Sequence, residues 1–185
     1  MGTKWIFADK HKLCNAAQRF IDTRLPVATQ HKDLVLYSPT LIYTEDYLLN
    51  YILQAQEDRK TQFRYAFIIY DKLKNQYAGT SSYMNVANKD LRLEIGYTWI
   101  GKDFQGTGLN AKVKELLINY AFNTLHFERV EFKTDERNEA SKKALQKLGA
   151  TYEGCLRSHM LMPDGFRRNS VYYSILRNEW LGKNL

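Results

Sequence analysis

Cysteine is nearly absent from this 185-residue chain, with Cys14 and Cys155 as the two present. They are too few for a disulfide scaffold or a metal cluster, and neither belongs to a CxxC pair. Both are expected as buried, reduced thiols. Three prolines and ten glycines exclude collagen-like, linker-like and low-complexity chains. No uncharged apolar run approaches the ~20 residues of a membrane helix, so no membrane partner is expected. The opening Met1-Gly2-Thr3-Lys4-Trp5-Ile6 lacks a signal-peptide apolar block. It also places Ile6 where myristoylation needs Ser or Thr, and a cytoplasmic protein is the expectation. The four histidines, His11, His31, His126 and His159, show no metal-ligand spacing such as HExxH, so no metal is expected.

What is present is ordinary for a globular protein: 44% hydrophobic and 25% charged residues, enough for one domain over residues 1–185. The 27 basic side chains outnumber the 20 acidic ones, for a net charge of +7. That excess attracts polyanions in general: nucleic acid, acidic proteins or a phosphate-rich cofactor. No helix-turn-helix, zinc-finger or RRM signature accompanies it, and the basic residues are spread along the chain.

Leu13, Ala16, Ala17, Phe20 and Ile21 recur at helical spacing, which predicts a helix over about residues 9–21. Thr44 is placed to cap a second helix, with Glu45 and Asp46 in a favourable first turn. Its expected buried stripe is Leu48, Leu49, Ile52 and Leu53, and it ends near residues 57–60. Strands are expected over residues 65–70 and 77–86, joined by a polar turn. Residues 91–99 alternate, with Leu91, Leu93, Ile95, Tyr97 and Trp99 on one face and Arg92, Glu94, Gly96 and Thr98 on the other. Val113, Leu116, Leu117, Tyr120, Ala121 and Thr124 then keep a helical rhythm. A strand over residues 129–134 follows, then a helix capped by Asn138 and closed by Gly149. A final hairpin runs over residues 152–176, turning at Pro163-Asp164-Gly165. The order predicts an α+β, mixed α/β fold in which a helix crosses over between strands of a mixed sheet.

Gln105-Gly106-Thr107-Gly108-Leu109-Asn110 lies between the alternating strand and the longest amphipathic helix. Small residues there let backbone N–H groups approach a ligand, and the helix N-terminus adds partial positive charge, which suits a phosphate or pyrophosphate. A Walker A loop is excluded because Thr107 stands at the lysine position. A Rossmann fingerprint fits poorly, because Lys102-Asp103-Phe104-Gln105 separate the glycines from the strand and a meander precedes them.

Gln105-Gly106-Thr107-Gly108 resembles, in shifted form, the Q/R-x-x-G-x-G/A pyrophosphate loop of the GCN5-related N-acetyltransferases (GNAT). The resemblance runs from about Tyr65 to Trp180 through Glu94-Ile95-Gly96-Tyr97-Thr98-Trp99-Ile100, Asn138-Glu139-Ala140-Ser141, Lys147-Leu148-Gly149-Ala150, Glu153-Gly154 and Tyr173-Ser174-Ile175-Leu176. It is closest to the branch that includes the ribosomal-protein N-terminal acetylases RimJ and RimL. Residues 1–64 resemble the family less; Trp5-Ile6-Phe7 is the one stub of a first strand.

The resemblance implies a GNAT fold: a mostly antiparallel mixed sheet, a splayed strand pair as the cofactor cleft, and about four flanking helices. It implies acetyl-CoA as donor and a primary amine as acceptor, attacked through a tetrahedral intermediate. That amine would be a peptide N-terminus, including a ribosomal protein's, or a small molecule such as a polyamine. Tyr97, Thr98, Trp99 and Ile100 would offer backbone groups to the pantetheine arm, and the N–H groups from Gln105 to Asn110 would hold the pyrophosphate. An N–H near Tyr97 or Thr98 would stabilise the oxyanion. Glu94 is the expected base, Asn138 a pantetheine contact, Ser141 a proton donor to the leaving thiolate, and Lys143 a reach toward a cofactor phosphate. RimL-like enzymes have been assigned a glutamate base in the strand after the Glu-Gly pair, and here that place falls near Met160, which transfers no proton. Either Glu94 takes that role or the amine reaches the site already neutral. Tyr172 and Tyr173 alternate on the last strand, with one able to face the site as a substitute acid.

Two other readings use the same residues: an acyl-CoA sensor that has lost turnover, and a basic ribosome- or RNA-associated module. Neither monomer nor homodimer is favoured.

Overall fold

The computed structural model describes residues 27–29 and 31–182. The expected helix over residues 9–21, the Trp5-Ile6-Phe7 stub and Cys14 lie outside the described residues. Within them the chain forms α1 (Glu45–Lys60), β1 (Arg64–Asp71), β2 (Gln76–Ala87), β3 (Arg92–Ile100), α2 (Leu109–Asn119), β4 (Arg129–Asp135), α3 (Glu139–Leu148), β5 (Thr151–Leu161), β6 (Arg167–Leu176) and α4 (Arg177–Gly182). The strands make one six-stranded sheet in the order β1-β2-β3-β4-β6-β5. β3 and β4 pair parallel, whereas β4 with β6 and β5 with β6 pair antiparallel. No described helix is long and apolar enough to cross a membrane.

The chain divides into two compact units. One holds residues 40–82 and 97–109 with the described residues up to Leu36; the other holds residues 37–39, 83–96 and 110–182. In the first, Ala28, Val35, Ile42, Leu48, Tyr51 and Trp99 form the core. Thr44 caps α1 by accepting the Tyr47 N–H at 3.2 Å, as its sequence predicts. The expected stripe on α1 is corrected, because Leu49 and Leu53 are exposed while Tyr51 and Asp58 are buried. Arg64 draws the Asp58 carboxylate inward, and counting apolar residues alone does not register such a partner.

In the second unit, Val113, Leu117, Ile118, Ala121 and Phe122 of the α2 segment are buried, and Thr124 is exposed. The expected rhythm fails at its end because residues Tyr120–Thr124 widen into a π-turn, with the Leu125 N–H donating to the Tyr120 carbonyl at 3.0 Å. Asn138 and Gly149 cap α3 as expected, the latter at φ +88°. The strict alternation over residues 91–99 is also corrected. Leu91 is 43% exposed and precedes β3, Glu94 is buried between Leu93 and Ile95, and Tyr97 sits at positive φ, so burial does not alternate along the strand. Cys155 is half-buried on the edge strand β5 rather than enclosed.

Candidate functional site

The loop begins where β3 ends. The Gly101 N–H donates to the Ala78 carbonyl, and a single 3-10 turn, Lys102–Phe104, buries the Phe104 ring. The Gln105 N–H returns to the Lys102 carbonyl, and its side-chain Nε2 donates to the Ile100 carbonyl at 2.9 Å. Gln105 therefore clamps the loop base. Thr107 Oγ1 donates to the Phe104 carbonyl at 2.7 Å and accepts the Leu109 N–H at 3.4 Å. Gly106 and Gly108 take φ +74° and +84°, conformations open to glycine, and space around both is clear for 4 Å beyond a would-be Cβ. Among the described residues, the N–H groups of Gly106, Thr107 and Gly108 have no hydrogen-bond partner. Three free amides ahead of a helix start form a cradle suited to a diphosphate.

Elsewhere in the same unit, Arg64 is 1% exposed, with its Nε 2.9 Å from Asp58 Oδ2. Its guanidinium stacks on the Tyr97 ring at 4.1 Å and lies 5.0 Å from the Tyr51 ring. Thr80 Oγ1 meets the Tyr51 hydroxyl at 2.9 Å and donates to the Tyr97 carbonyl at 3.3 Å. Tyr97, at φ +48°, is thus held from both its ring and its carbonyl side. Burial, opposed by the Arg64 charge, raises the Tyr51 hydroxyl above its usual pKa.

In the second unit the β3–β4 ladder is registered at three positions, Arg92–Glu94 with Arg129–Glu131. β4 goes on pairing with β6 as far as Asp135. Glu94 is 3% exposed. Its Oε2 accepts from Asn85 Nδ2 at 2.8 Å, and its Oε1 lies 3.6 Å from Lys133 Nζ. Tyr172 lies directly across the ladder from Lys133, whose ammonium sits 5.8 Å from the Tyr172 ring centre. Burial, with the charges of Glu94 and Glu131, raises the Tyr172 hydroxyl above its ordinary value. The α3 cap is completed by Asn138 Oδ1, which accepts the Ser141 N–H at 3.0 Å. The Ser141 hydroxyl is half-buried and has no hydrogen-bond partner among the described residues; Lys143 is exposed. Asn110 Oδ1, in the first turn of α2, is buried with no partner.

A family model described as acetyltransferase (GNAT) domain matches residues 21–151. The chain belongs to the GNAT family. Among its relatives is the Bacillus subtilis (strain 168) protein named "Putative ribosomal N-acetyltransferase YdaF", 34% identical over 118 residues. That match takes in 64% of this chain and 62% of the relative, so it spans about three-fifths of the curated protein. A GCN5-related N-acetyltransferase from Brucella melitensis shares the fold at TM-score 0.82 and 22% identity, over 89% of this chain and 74% of that one. The microcin C7 self-immunity acetyltransferase MccE, solved with acetyl-CoA and AMP, superposes at TM-score 0.76 with 19% identity over 93% and 91% of the two chains.

Of the residues singled out from sequence, Tyr97, Thr98, Trp99, Ile100, Gln105, Gly106, Thr107, Gly108 and Leu109 fall in the first unit of this GNAT chain. Glu94, Asn110, Asn138, Ser141 and Lys143 fall in the second. Sequence reasoning missed Asn85 and Lys133 as partners of Glu94, Arg64 beneath Tyr97, and His159 beside Tyr172. The first three are contacts between separate elements and leave no local motif. His159 is one of four histidines, a scarcity that offers the one sequence signal.

Proposed function

We propose that this chain transfers the acetyl group of acetyl-CoA to a primary amine, with a protein N-terminal α-amine as the favoured acceptor class. The observation that carries the reading is the trio of unpartnered amides at Gly106, Thr107 and Gly108, in a chain of the GNAT family. Acetyl-CoA supplies an acetyl group already activated as a thioester. The three amides would hold its diphosphate, and the orphaned Asn110 Oδ1 and the uncommitted amide N–H groups of Asn138 would suit an amide-rich pantetheine arm. Tyr97–Ile100 offers strand backbone to that arm, and an N–H near Tyr97 or Thr98 stabilises negative charge on the carbonyl oxygen. Stacking on Arg64 fixes the peptide orientation at Tyr97, as preorganised stabilisation requires.

Only a neutral amine attacks. An α-ammonium loses its proton near pH 8 and a lysine ammonium near pH 10.4, so a terminal amine needs less help from the site. Glu94 accepts that proton directly or through water, in a position fixed by Asn85 and Lys133. The free Ser141 hydroxyl would return a proton to the departing thiolate, and exposed Lys143 would be available to a cofactor phosphate. Residues 1–185 act as one acetyltransferase domain in the cytoplasm. A ribosomal-protein N-terminus is the finer acceptor, supported by the name of the B. subtilis relative.

Thiol release from acetyl-CoA, followed across a panel of N-terminal peptides, polyamines and aminoglycosides, tests this. Release is expected with α-amine peptides at rates above the polyamines. Binding of acetyl-CoA with no thiol release for any amine would overturn the reading in favour of a sensor. Salt-sensitive RNA binding with no thermal response to acetyl-CoA would overturn it in favour of a ribosome-associated module.

A further inference from the structure

Glu94 is buried, both its oxygens are engaged, and an acetyl transfer that begins from an ammonium must discharge one proton per turnover to solvent. The side chains beyond it on the same sheet face lead outward. From the Lys133 ammonium beside Glu94 the next group is the Tyr172 ring, and the Tyr172 ring meets the His159 ring edge-to-face at 6.0 Å between centres. His159 is exposed. Its Nδ1 lies 3.0 Å from Ser170 Oγ, which is fully buried and also accepts from Arg168 Nε at 3.0 Å. His159 Nε2 has no hydrogen-bond partner among the described residues.

His159 lies within a backbone irregularity of β5. Between Leu156 and Met160 the β5–β6 register shifts, and Ser158 takes φ +51°. Three hydrogen bonds hold that irregularity: the Ser158 N–H donates to Asn169 Oδ1 at 2.8 Å, and Arg167 donates to Ser158 Oγ at 2.8 Å and to its carbonyl at 2.6 Å. A bulge of this kind redirects the side chains beside it.

We propose that His159 is the proton exit of the reaction, carrying the acceptor's proton from the Glu94 centre to solvent. This rests on the acetyltransferase reading. The N–H bond of the ammonium breaks and its electron pair stays on nitrogen for attack. The proton passes by way of Glu94 and water to His159 Nε2, where a new N–H bond forms while Nδ1–H donates to Ser170. The imidazolium then gives that proton to bulk water and is neutral again. Lys133 on β4, Arg168 and Tyr172 on β6, and Glu94 on β3 are the charged and titratable groups around it. Partial desolvation of its ring against Tyr172 and Ser170, with the Lys133 and Arg168 cations, keeps the imidazole below its usual pKa, and Glu94 partly offsets them. It is therefore neutral near pH 7 and able to accept.

The experiment uses the full chain with the acceptor that turns over fastest. His159→Ala is expected to lower kcat about tenfold to a hundredfold with KM for acetyl-CoA unchanged, and added imidazole is expected to restore the rate saturably. His159→Asn, which preserves a donor toward Ser170, is expected to stay slow. Wild-type rates in either variant, or a loss that imidazole leaves untouched, would overturn the proposal while thiol release by the wild type keeps the acetyltransferase reading standing. No thiol release by the wild type with any amine would take both down. Independently of turnover, the NMR titration midpoint of His159 is expected to fall in Glu94→Gln, because a negative charge that supports the imidazolium is gone. An unmoved midpoint would overturn the link between the two residues.

Discussion

Lys114 is the least economical residue in the second unit, and replacing it should stabilise the protein. It sits on α2 with 9% exposure, and its one contact of note is the Phe132 ring, 5.3 Å from its ammonium. Among the described residues no carboxylate pairs with it. Burial lowers its pKa from 10.5 to about 8. The unfolded chain holds the proton up to about pH 10.5, whereas the folded chain releases it at about 8, so folding at pH 7 holds a charge where burial disfavours it. The displacement corresponds to about 3 kcal/mol of penalty, present below pH 8 and fading as pH rises toward 10.5. Lys114→Met keeps the length and apolar stem. It is expected to gain about 1–3 kcal/mol at neutral pH, since buried charges are often replaced by apolar isosteres at a profit in stability. For a chain of this length that is a rise in Tm of about 2–4 °C per kcal/mol. Denaturant unfolding at pH 7 and at pH 10 checks it: the variant should lead at pH 7 and the gap should shrink at pH 10. A variant less stable at pH 7, or a gap independent of pH, would refute the reasoning.

Glu94→Gln removes the charge that faces Lys133 and Asn85, and should cost about 1–3 kcal/mol of stability and at least tenfold in kcat/KM, with coenzyme A affinity unchanged. Adding Lys133→Met to it should cost less than Lys133→Met alone, and equal costs in a double-mutant cycle would deny the pairing. Gly108→Val places a branched side chain at φ +84° with clear space around it, so strain of about 1–2 kcal/mol in the backbone is the whole folding penalty. Coenzyme A affinity should nevertheless fall more than tenfold, and unchanged calorimetric affinity would count against the cradle. The Asp135 carboxyl is pushed up by burial, but hydrogen bonds from Arg137 outweigh this and hold it below its usual 3.8. Its folded pKa lies under the unfolded one, so its contribution is whole above about pH 4 and drains away as pH falls further. Wild-type Tm should therefore converge on that of Asp135→Asn between pH 5 and pH 2.5, and parallel curves would contradict it.

What the sequence disclosed was whatever local spacing encodes. The Thr44 and Asn138 caps, the Gly149 stop and the Pro163-Asp164-Gly165 turn all act within a few residues, and all stand where expected. The glycines of the loop were legible for the same reason, since a left-handed turn ahead of a helix asks for them at that spot. Periodicity misled where tertiary partners override it. Asp58 is buried because Arg64 meets it from β1, and the α2 rhythm fails at Thr124 because a π-turn adds a residue. The environment of Glu94 was illegible, since Asn85, Lys133 and Tyr172 come from three different strands. His159 lies within a strand irregularity that no hydrophobic pattern announces.

Calorimetry with the purified chain tests the central claim most directly, by titrating coenzyme A and, separately, pantetheine, which carries the same arm without the diphosphate. Coenzyme A should bind one equivalent with measurable heat, and pantetheine should bind far more weakly. No heat from coenzyme A, or equal affinity for the two, would contradict an account built on three free amides at Gly106, Thr107 and Gly108.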